Sequence, residues 1–211
     1  MNKKLIIWDW NGTLLNDVDA CIYAMNIMLA KRDMILVDRE HYKRIFTFPV
    51  QDYYKELGFN FEKESFEELS KEYIELYREL SKKSELHIGT KEILKYFNDV
   101  GVRQIILSAS EQNALHEQVK ERKIDFYFDA LIGLDNIYAK SKLQNAKQYI
   151  ADSNYLKENI LLIGDTLHDF EVSIGIDCRC VLIQNGHQHL NRNCSDATIL
   201  DSIPKLTSLG F

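Results

Sequence analysis

The sequence contains few glycines and prolines, no long basic run and no long apolar run, and each absence excludes a class of protein. Only 9 Gly and 2 Pro occur among 211 residues, which argues against a disordered or collagen-like chain. With 26 basic and 32 acidic side chains the formal net charge is −6, so the chain lacks the basic surface of a nucleic-acid binder. No window approaches the roughly 20 apolar residues that cross a bilayer. We therefore predict neither a nucleic-acid partner nor a membrane protein.

The first apolar run is too short for a secretion signal, which needs about 7–15 apolar residues, because it reaches a charge at Asp9 after only Leu5 to Trp8. The prediction is a cytoplasmic protein, either a monomer or a homodimer. Four cysteines without a CxxC spacing are then expected to stay reduced and to pack as small hydrophobic side chains. They are Cys21, Cys178, Cys180 and Cys194.

Five near-continuous apolar runs are typical of strands that are buried on both faces of a parallel sheet. Helical segments around 111–123, 140–152 and 166–175 alternate with the last four runs, which is the order of a sheet covered by helices on both faces. We predict an α/β fold with a doubly wound, parallel, five-stranded, Rossmann-like sheet. The predicted strands span 5–10, 103–109, 130–134, 159–164 and 179–184.

A long segment between the first two strands has a helical pattern throughout. Apolar side chains recur at helical spacing in 18–29 and again in 66–80. A crossover between parallel strands needs only one helix, so most of this segment is surplus. We predict that residues 16–86 form a helical cap inserted after the first strand, while 1–15 and 87–211 form the α/β core.

Polar side chains follow three of the predicted strands, where a doubly wound sheet binds its ligands. Asp9 follows the first strand, Ser108 ends the second, and Asp165 and Asp169 follow the fourth. Asp9 and Asp165 would face each other at close range, and two desolvated carboxylates are costly unless a cation lies between them. Carboxylate and carbonyl oxygens suit Mg²⁺ rather than zinc. The sequence therefore predicts a Mg²⁺ site.

Taken in order, four motifs resemble the haloacid dehalogenase superfamily of phosphatases: DWNGT, a serine after the second strand, a lysine before a helix, and GDTLHD. The helical insertion directly after the first motif is similar to that family's small cap. DWNGTLL and GDTLHD look closest to the phosphoglycolate phosphatase-like branch. The resemblance implies an enzyme that hydrolyses a small phosphorylated metabolite with Mg²⁺ through an aspartyl-phosphate intermediate.

The resemblance also implies roles for the acidic residues. Asp9 would be the nucleophile. Asp9 and Asp165 would bind Mg²⁺ together with the backbone carbonyl of Asn11, and Asp169 would hold the metal or one of its waters.

The phosphoryl oxygens, by the same resemblance, would be bound by Ser108 and Ala109, by the backbone amides that begin at Trp10, and by a lysine. Lys140 and Lys142 both precede the predicted third helix. Ser141 is a plausible N-cap, which places Lys142 in the first helical turn. We therefore predict Lys142 as the phosphate lysine and a surface charge at 140.

One position departs from the family pattern. In the family, the residue two after the nucleophile is normally a second aspartate, which protonates the leaving oxygen. In this sequence that residue is Asn11. An amide cannot move a proton near neutral pH, and the loss of general acid-base help costs about 10²–10⁴-fold in rate. Three explanations stay open: a substrate with a good leaving group such as an acyl phosphate, another proton donor, or a phosphate-binding or regulatory protein with little turnover. A phosphonatase-like hydrolase also lacks this aspartate but needs a Schiff-base lysine in the cap, for which Lys31, Lys43 and Lys55 are candidates.

Three histidines and one loop complete the predictions. His168 is expected to be a solvated loop residue, and His187 and His189 are expected to lie in a turn rather than to bind a metal. The segment IFTFPVQDYY around Pro49 either closes over the site and selects the leaving group or is an interhelical turn packed with core aromatics.

Overall fold

The computed structural model describes residues 3–138, 141–190, 197–209 and 211. Within these ranges the chain forms one parallel sheet with the strand order β3-β2-β1-β4-β5-β6. Its strands are β1 (Leu5–Trp8), β2 (Arg103–Glu111), β3 (Ala130–Leu134), β4 (Ile160–Gly164), β5 (Arg179–Ile183) and β6 (Thr198–Leu200). The α/β, Rossmann-like architecture is confirmed, but the described sheet has six strands rather than the predicted five. The strand missed is a three-residue edge strand beside β5, which is too short to show a pattern.

β1 occupies the middle of the sheet and determines where the polar strand ends meet. Trp8 pairs with Ile106 of β2 and with Ile163 of β4, in parallel on both sides. The carboxyl ends of these three strands therefore lie side by side at one edge of the sheet.

Helices cover both faces of the sheet because neighbouring residues of a strand point to opposite sides. Ile6 and Trp8 belong to one buried apolar cluster, which also contains residues of the helices α5 (Thr90–Asp99) and α6 (Gln112–Glu121). Leu5 and Ile7 belong to another, which contains residues of α7 (Leu143–Ala151) and α8 (Leu167–Gly175).

Four helices follow β1 within the segment predicted as a cap, and we call them the cap. They are α1 (Val18–Ala30), α2 (Arg39–Ile45), α3 (Val50–Glu56) and α4 (Phe66–Ser81). These helices have a buried apolar cluster of their own, separate from the two clusters of the sheet. A capping box begins α4: the Glu68 amide donates to Ser65 Oγ at 3.2 Å and the Ser65 amide donates to Glu68 Oε2 at 2.9 Å. Arg32, which follows α1, forms ion pairs with Glu72 of α4 and with Glu64 just before that helix.

The two chain segments that connect the cap to the core run next to each other. Leu15 and Leu86 form an antiparallel bridge. The Asn16 amide donates to the carbonyl of Glu85 at 2.9 Å. We call this pair of segments the hinge.

A second set of contacts joins the cap to the loop after β5. The His189 amide donates to the carbonyl of Lys43 at 3.0 Å. The Gln188 side-chain amide donates to the carbonyl of Phe46 at 2.7 Å. We call these contacts the latch.

None of the helices in the described ranges combines the length and the apolar character needed to span a bilayer.

Candidate active site

Three buried carboxylates meet at the carboxyl ends of β1 and β4. Asp9 directly follows β1, Asp165 directly follows β4, and Asp169 lies in the first turn of α8. Oxygen atoms of the three side chains all lie within 4.8 Å of one another. The structure thus brings together Asp9 and Asp165, as the strand-end argument predicts. Asp169 joins them because its Oδ2 accepts hydrogen bonds from the Thr166 amide and hydroxyl, which fixes the start of α8.

Lys142 lies among these carboxylates. Its ammonium group contacts Asp9 Oδ1, lies 2.7 Å from Asp169 Oδ1 and donates to the carbonyl of Leu107 at 3.0 Å. We call Asp9, Asp165, Asp169 and Lys142 the acidic cluster. The cluster has three carboxylates and one ammonium group.

The local placement of Lys142 corrects one prediction. Lys142 is itself the N-cap of α7, and the first helical residue is Leu143. Ser141 does not cap the helix in the predicted way; its Oγ accepts from the Leu143 amide at 3.2 Å. The contacts of the ammonium group with two aspartates hold the lysine just before the helix, and these contacts are invisible in a local pattern. Lys140, the alternative, lies outside the described residues, as does Cys194.

The pKa values of the acidic cluster reveal an excess of negative charge. Burial raises the pKa of Asp9 well above its usual range and raises the pKa of Asp165 to about 6. Burial alone would lower the pKa of Lys142, but Asp169 and Asp9 outweigh this effect and raise it. For Asp169, burial acts to raise the pKa, but Lys142 and the hydrogen bonds from Thr166 together outweigh it, so the pKa is lowered overall. One ammonium group therefore leaves three buried carboxylates undercompensated, and this set of hard oxygen donors fits a divalent cation.

Two glycines allow neighbouring loops to close tightly around Asp165. A Cβ atom at Gly12, where φ is +71°, would lie 2.4 Å from Asp165 Oδ2, and one at Gly186 would lie 2.0 Å from it. Thr13 Oγ1 donates to Asp165 Oδ1 at 2.8 Å, and the His187 amide donates to Oδ2 at 2.6 Å. Asp165 is therefore fixed in one orientation by the loops after β1 and β5.

Both polar atoms of the Asn11 side chain, Nδ2 and Oδ1, form hydrogen bonds. Its Nδ2 donates to Asp17 Oδ2 at 2.7 Å and to the Tyr77 hydroxyl at 2.7 Å. Its Oδ1 accepts from the Ser110 hydroxyl at 2.6 Å. Because Asp17 and Tyr77 belong to the cap side of the site, this amide links the loop after β1 to the cap. An aspartate here would place a second carboxylate against Asp17.

Asp17 is the centre of a cluster that the sequence did not reveal. The carboxylate accepts from the Gly12 amide at 2.9 Å and from the Tyr77 hydroxyl at 2.6 Å, and it lies 3.3 Å from His187 Nε2. Burial acts to raise the pKa of Asp17, but His187 and the hydrogen bonds from Tyr77 and Asn11 outweigh it and lower the pKa to about 2. We call Asn11, Asp17, Tyr77 and His187 the Asp17 cluster.

His187 lies in the bend that follows the turn after β5, where a turn is predicted, and its side chain belongs to the Asp17 cluster. It is buried, and its Nδ1 shares a hydrogen bond of 2.8 Å with the Tyr42 hydroxyl. Burial tends to lower its pKa, but Asp17 raises it and the net shift is upward. His187 follows β5, so the strand-end argument applied to β1 and β4 would also have selected it. His189, in contrast, is on the surface, 2.9 Å from Glu40 Oε2.

The residues predicted to hold the phosphate occupy different positions. Ser108 is buried in β2, and its Oγ accepts from the Ser110 amide at 3.0 Å. Ala109 lines the cavity above the acidic cluster. The indole of Trp10 is buried in the core, where Nε1 donates to Gln118 at 2.7 Å, so only the backbone of Trp10 is available to a ligand.

Asp9, Asp169 and Lys142 of the acidic cluster line a cavity with a volume of about 1040 Å³, including its open mouth. Phe46, Phe48 and Val50 of the loop around Pro49 line it, so this loop forms part of the cavity wall and also packs as an aromatic turn. His168 corrects a prediction: it is buried in α8 and stacks on Phe48 with ring centroids 4.7 Å apart. Burial lowers its pKa.

The sequence matches the family model of the haloacid dehalogenase-like hydrolases over residues 6–183. The chain therefore belongs to the haloacid dehalogenase-like hydrolase family. This match, together with the phosphatases among the similar proteins, confirms the resemblance drawn from the motifs and the prediction of an enzyme of the phosphatase class. Members of this family generally use a divalent metal, and the acidic cluster could bind one.

Similar proteins share modest identity with this chain. A phosphoglycolate phosphatase from Pseudomonas savastanoi pv. phaseolicola is 22% identical over 218 residues, which cover 96% of this chain and 78% of that protein. The structure of a candidate phosphoglycolate phosphatase from Lactobacillus plantarum matches with a TM-score of 0.82 and 19% identity, covering 99% and 100% of the two chains. A CbbY variant from Rhodobacter sphaeroides in complex with xylulose-(1,5)bisphosphate matches with a TM-score of 0.74 and 15% identity, covering 95% and 94%. At these identities the structural matches show the fold alone.

Proposed function

We propose that the protein is a Mg²⁺-dependent phosphatase that hydrolyses a small phosphate monoester through an aspartyl-phosphate on Asp9. The observation that carries this proposal is the acidic cluster, in which three buried carboxylates and Lys142 meet. Asp9, Asp169 and Lys142 line a cavity whose wall also contains residues of the cap. The phosphoglycolate phosphatase relative and the sugar bisphosphate bound to CbbY support a small phosphorylated substrate.

The metal would be held by Asp9, Asp165 and the backbone carbonyl of Asn11, with Asp169 beside it. When bound, Mg²⁺ supplies positive charge that reduces the repulsion between a dianionic phosphate and the carboxylate nucleophile. The choice of Mg²⁺ rests on the all-oxygen donor set.

The residues of the chain have separate tasks in the reaction. An oxygen of the Asp9 carboxylate attacks phosphorus, the bond from phosphorus to the leaving oxygen breaks, and the leaving oxygen keeps the electron pair. Water then attacks the aspartyl-phosphate, which releases inorganic phosphate and restores the carboxylate. Lys142 lowers the pKa of Asp9 against the larger effect of burial, orients its carboxylate and offers positive charge to the phosphoryl group. Ser108, Ala109 and the backbone amides of Trp10 and Asn11 bind the phosphoryl oxygens.

Two alternatives differ in their support. A phosphate-binding or regulatory role with little turnover still rests on Asn11, which offers no proton. A phosphonatase-like reaction needs a lysine facing the substrate, but Lys31 and Lys55 are exposed and paired with acidic side chains. Lys43 donates to the carbonyl of Gln184. None of these three lysines lines the cavity, so we do not favour that reaction.

The experiment measures hydrolysis of an activated aryl phosphate with Mg²⁺ and with excess chelator. We expect the wild type to turn over this ester only when Mg²⁺ is present. We expect no turnover in Asp9→Asn, because an amide is not a nucleophile for phosphorus. Asp125→Asn, an exposed aspartate, is the matched control and should behave as the wild type. Undiminished turnover in chelator or in Asp9→Asn would disprove the mechanism.

A further inference from the structure

The wall of the cavity is aromatic near the acidic cluster. Phe46 contacts Phe48 with ring centroids 5.6 Å apart and Tyr53 with centroids 5.4 Å apart, and Phe48 stacks on His168. All four side chains line the cavity. Such a wall stabilises a flat apolar group by burial and by ring contacts.

Positive charge is scarce in the same space. Among the described residues that line the cavity, Lys142 is the one lysine or arginine, and it already contacts Asp9 and Asp169. His187 lies beside Asp17, and Glu111 adds a further acidic side chain to the lining. A carboxylate or second phosphate on the leaving group would therefore lose its hydration without gaining a cationic partner, which is costly.

Two polar atoms of the wall have no partner within the described ranges. They are the Tyr53 hydroxyl and His168 Nε2, both buried. Buried polar groups usually have a hydrogen-bond partner, so atoms without one in a ligand cavity indicate polar atoms of the ligand. These two groups can bind an uncharged hydroxyl or amide on the leaving group.

The reaction imposes its own demand on the leaving group. Asn11 offers no proton, and its side chain is held by Asp17, Tyr77 and Ser110. A leaving oxygen that departs without protonation must itself stabilise negative charge. A phenol, with a pKa of about 10 as in tyrosine, does so far better than an alkyl alcohol, whose pKa is close to that of water at about 15.7.

We infer that this site selects phosphate monoesters of uncharged phenols and discriminates against leaving groups that carry a carboxylate or a second phosphate. The inference rests on the proposed phosphatase function. In the first step the phenolate leaves with the electron pair of the broken phosphorus–oxygen bond and takes its proton from water. The cavity wall and the reaction, two independent observations, demand the same kind of leaving group. It differs from the carboxylate of phosphoglycolate and from the second phosphate of the xylulose bisphosphate bound to CbbY.

The experiment compares kcat/KM for phenyl phosphate and 4-carboxyphenyl phosphate with the full chain and saturating Mg²⁺. Both phenols have similar acidity, so the comparison isolates the added charge. We expect phenyl phosphate to be preferred by about 100-fold, and phosphoglycolate to be a still poorer substrate. A preference below about 3-fold, or a preference for the carboxylate, would overturn the inference while leaving the phosphatase proposal intact. Failure to hydrolyse any of these esters would overturn both.

Two substitutions test the cause of the preference. Val50 lines the cavity and is partly exposed, so Val50→Lys can add a cation where Val50→Gln adds only length. We expect Val50→Lys to raise the ratio of 4-carboxyphenyl to phenyl phosphate turnover about 10-fold over that of Val50→Gln. Equal ratios in the two variants would contradict the role of charge.

The unpartnered hydroxyl is tested in the same way. Tyr53→Phe is expected to lower the ratio of 4-(hydroxymethyl)phenyl to phenyl phosphate turnover by about 3-fold to 10-fold, because only the first ester can bond to this hydroxyl. An unchanged ratio would contradict the assignment. Because Lys140 lies outside the described residues, Lys140→Gln is measured too, and carboxylate acceptance that disappears in this variant would also overturn the inference.

Discussion

The two buried clusters that meet at the loop after β1 balance their charge in opposite ways. In the acidic cluster, three carboxylates share one lysine, and burial raises the pKa of Asp165 to about 6. In the Asp17 cluster, one carboxylate is surrounded by donors, and its pKa is lowered to about 2. The undercompensated cluster is suited to bind a cation and a substrate, whereas the satisfied one is suited to hold the cap against the core.

The largest effect on turnover is expected for Lys142, the one positively charged side chain of the acidic cluster. Lys142→Ala removes the ammonium group from Asp9 and Asp169, so we expect turnover to fall by about 10²–10³-fold. Lys140→Ala is the control and should have little effect. Steady-state kinetics at saturating Mg²⁺ measure both. The reverse ranking would show that the wrong lysine has been assigned to the phosphate.

A matched pair of substitutions, one in each cluster, is expected to lower the free energy of unfolding of the protein by different amounts. Asp17→Asn replaces an acceptor that serves the Gly12 amide and the Tyr77 hydroxyl, so we expect the free energy of unfolding to fall by about 3 kcal/mol. Asp165→Asn disturbs the acceptor of the Thr13 hydroxyl and the His187 amide but also removes an undercompensated charge, so in chelator at pH 7 we expect a smaller loss, of about 1 kcal/mol, together with weaker Mg²⁺ binding. Denaturant unfolding and metal titration measure these effects. Equal losses of stability would remove the distinction between the clusters.

Acidity should affect the clusters with opposite signs. Because the pKa of Asp17 is about 2 in the folded state and near 3.9 in an unfolded chain, its contribution of about 2 kcal/mol is present above pH 4 and is lost as the pH falls through 2. The pKa of Asp165 is raised to about 6, so without metal its contribution favours folding below pH 4 and is lost as the pH rises through 6.

The measurement is the difference in unfolding free energy between the wild type and Asp165→Asn in chelator from pH 4 to pH 7. We expect the unfolding free energy of the wild type to fall relative to that of Asp165→Asn as the pH rises. Saturating Mg²⁺ should abolish this trend. A difference that is independent of pH would contradict the charge imbalance assigned to the acidic cluster.

The smallest effect concerns the position that links the clusters. From the sequence alone, Asn11→Asp should raise turnover of alkyl phosphates by restoring the usual acid. In the structure the new carboxylate would face Asp17 Oδ2, 2.7 Å from the present Nδ2. We therefore expect little gain from Asn11→Asp, but about a 10-fold gain from Asn11→Asp with Asp17→Asn, which reverses the polarity of the bond. Saturating kinetics on an alkyl and an acyl phosphate measure this, and the acyl phosphate should respond little. No gain in the double variant would show that the missing acid does not limit the rate.

The features that the sequence predicted are those encoded by local pattern. Asp9 and Asp165 follow short apolar runs that form adjacent parallel strands, so their meeting follows from strand order alone. Asp17 and His187 lie 170 positions apart and meet only because the cap closes onto the loop after β5. His168 is buried because Phe48 covers it from the cap, and a local pattern contains no information on such a contact.

Under the proposed function, the hinge and the latch bear on how a product leaves. The hinge segments are bonded to each other through Leu15 and Leu86, so the two chain connections of the cap lie side by side. The latch consists of hydrogen bonds to the carbonyls of Lys43 and Phe46, next to the aromatic wall. Under the proposed function, an opening at the latch would break these bonds and expose that wall to water, so we expect the dwell time of an aromatic product to depend on the loop after β5 as well as on the chemistry at Asp9.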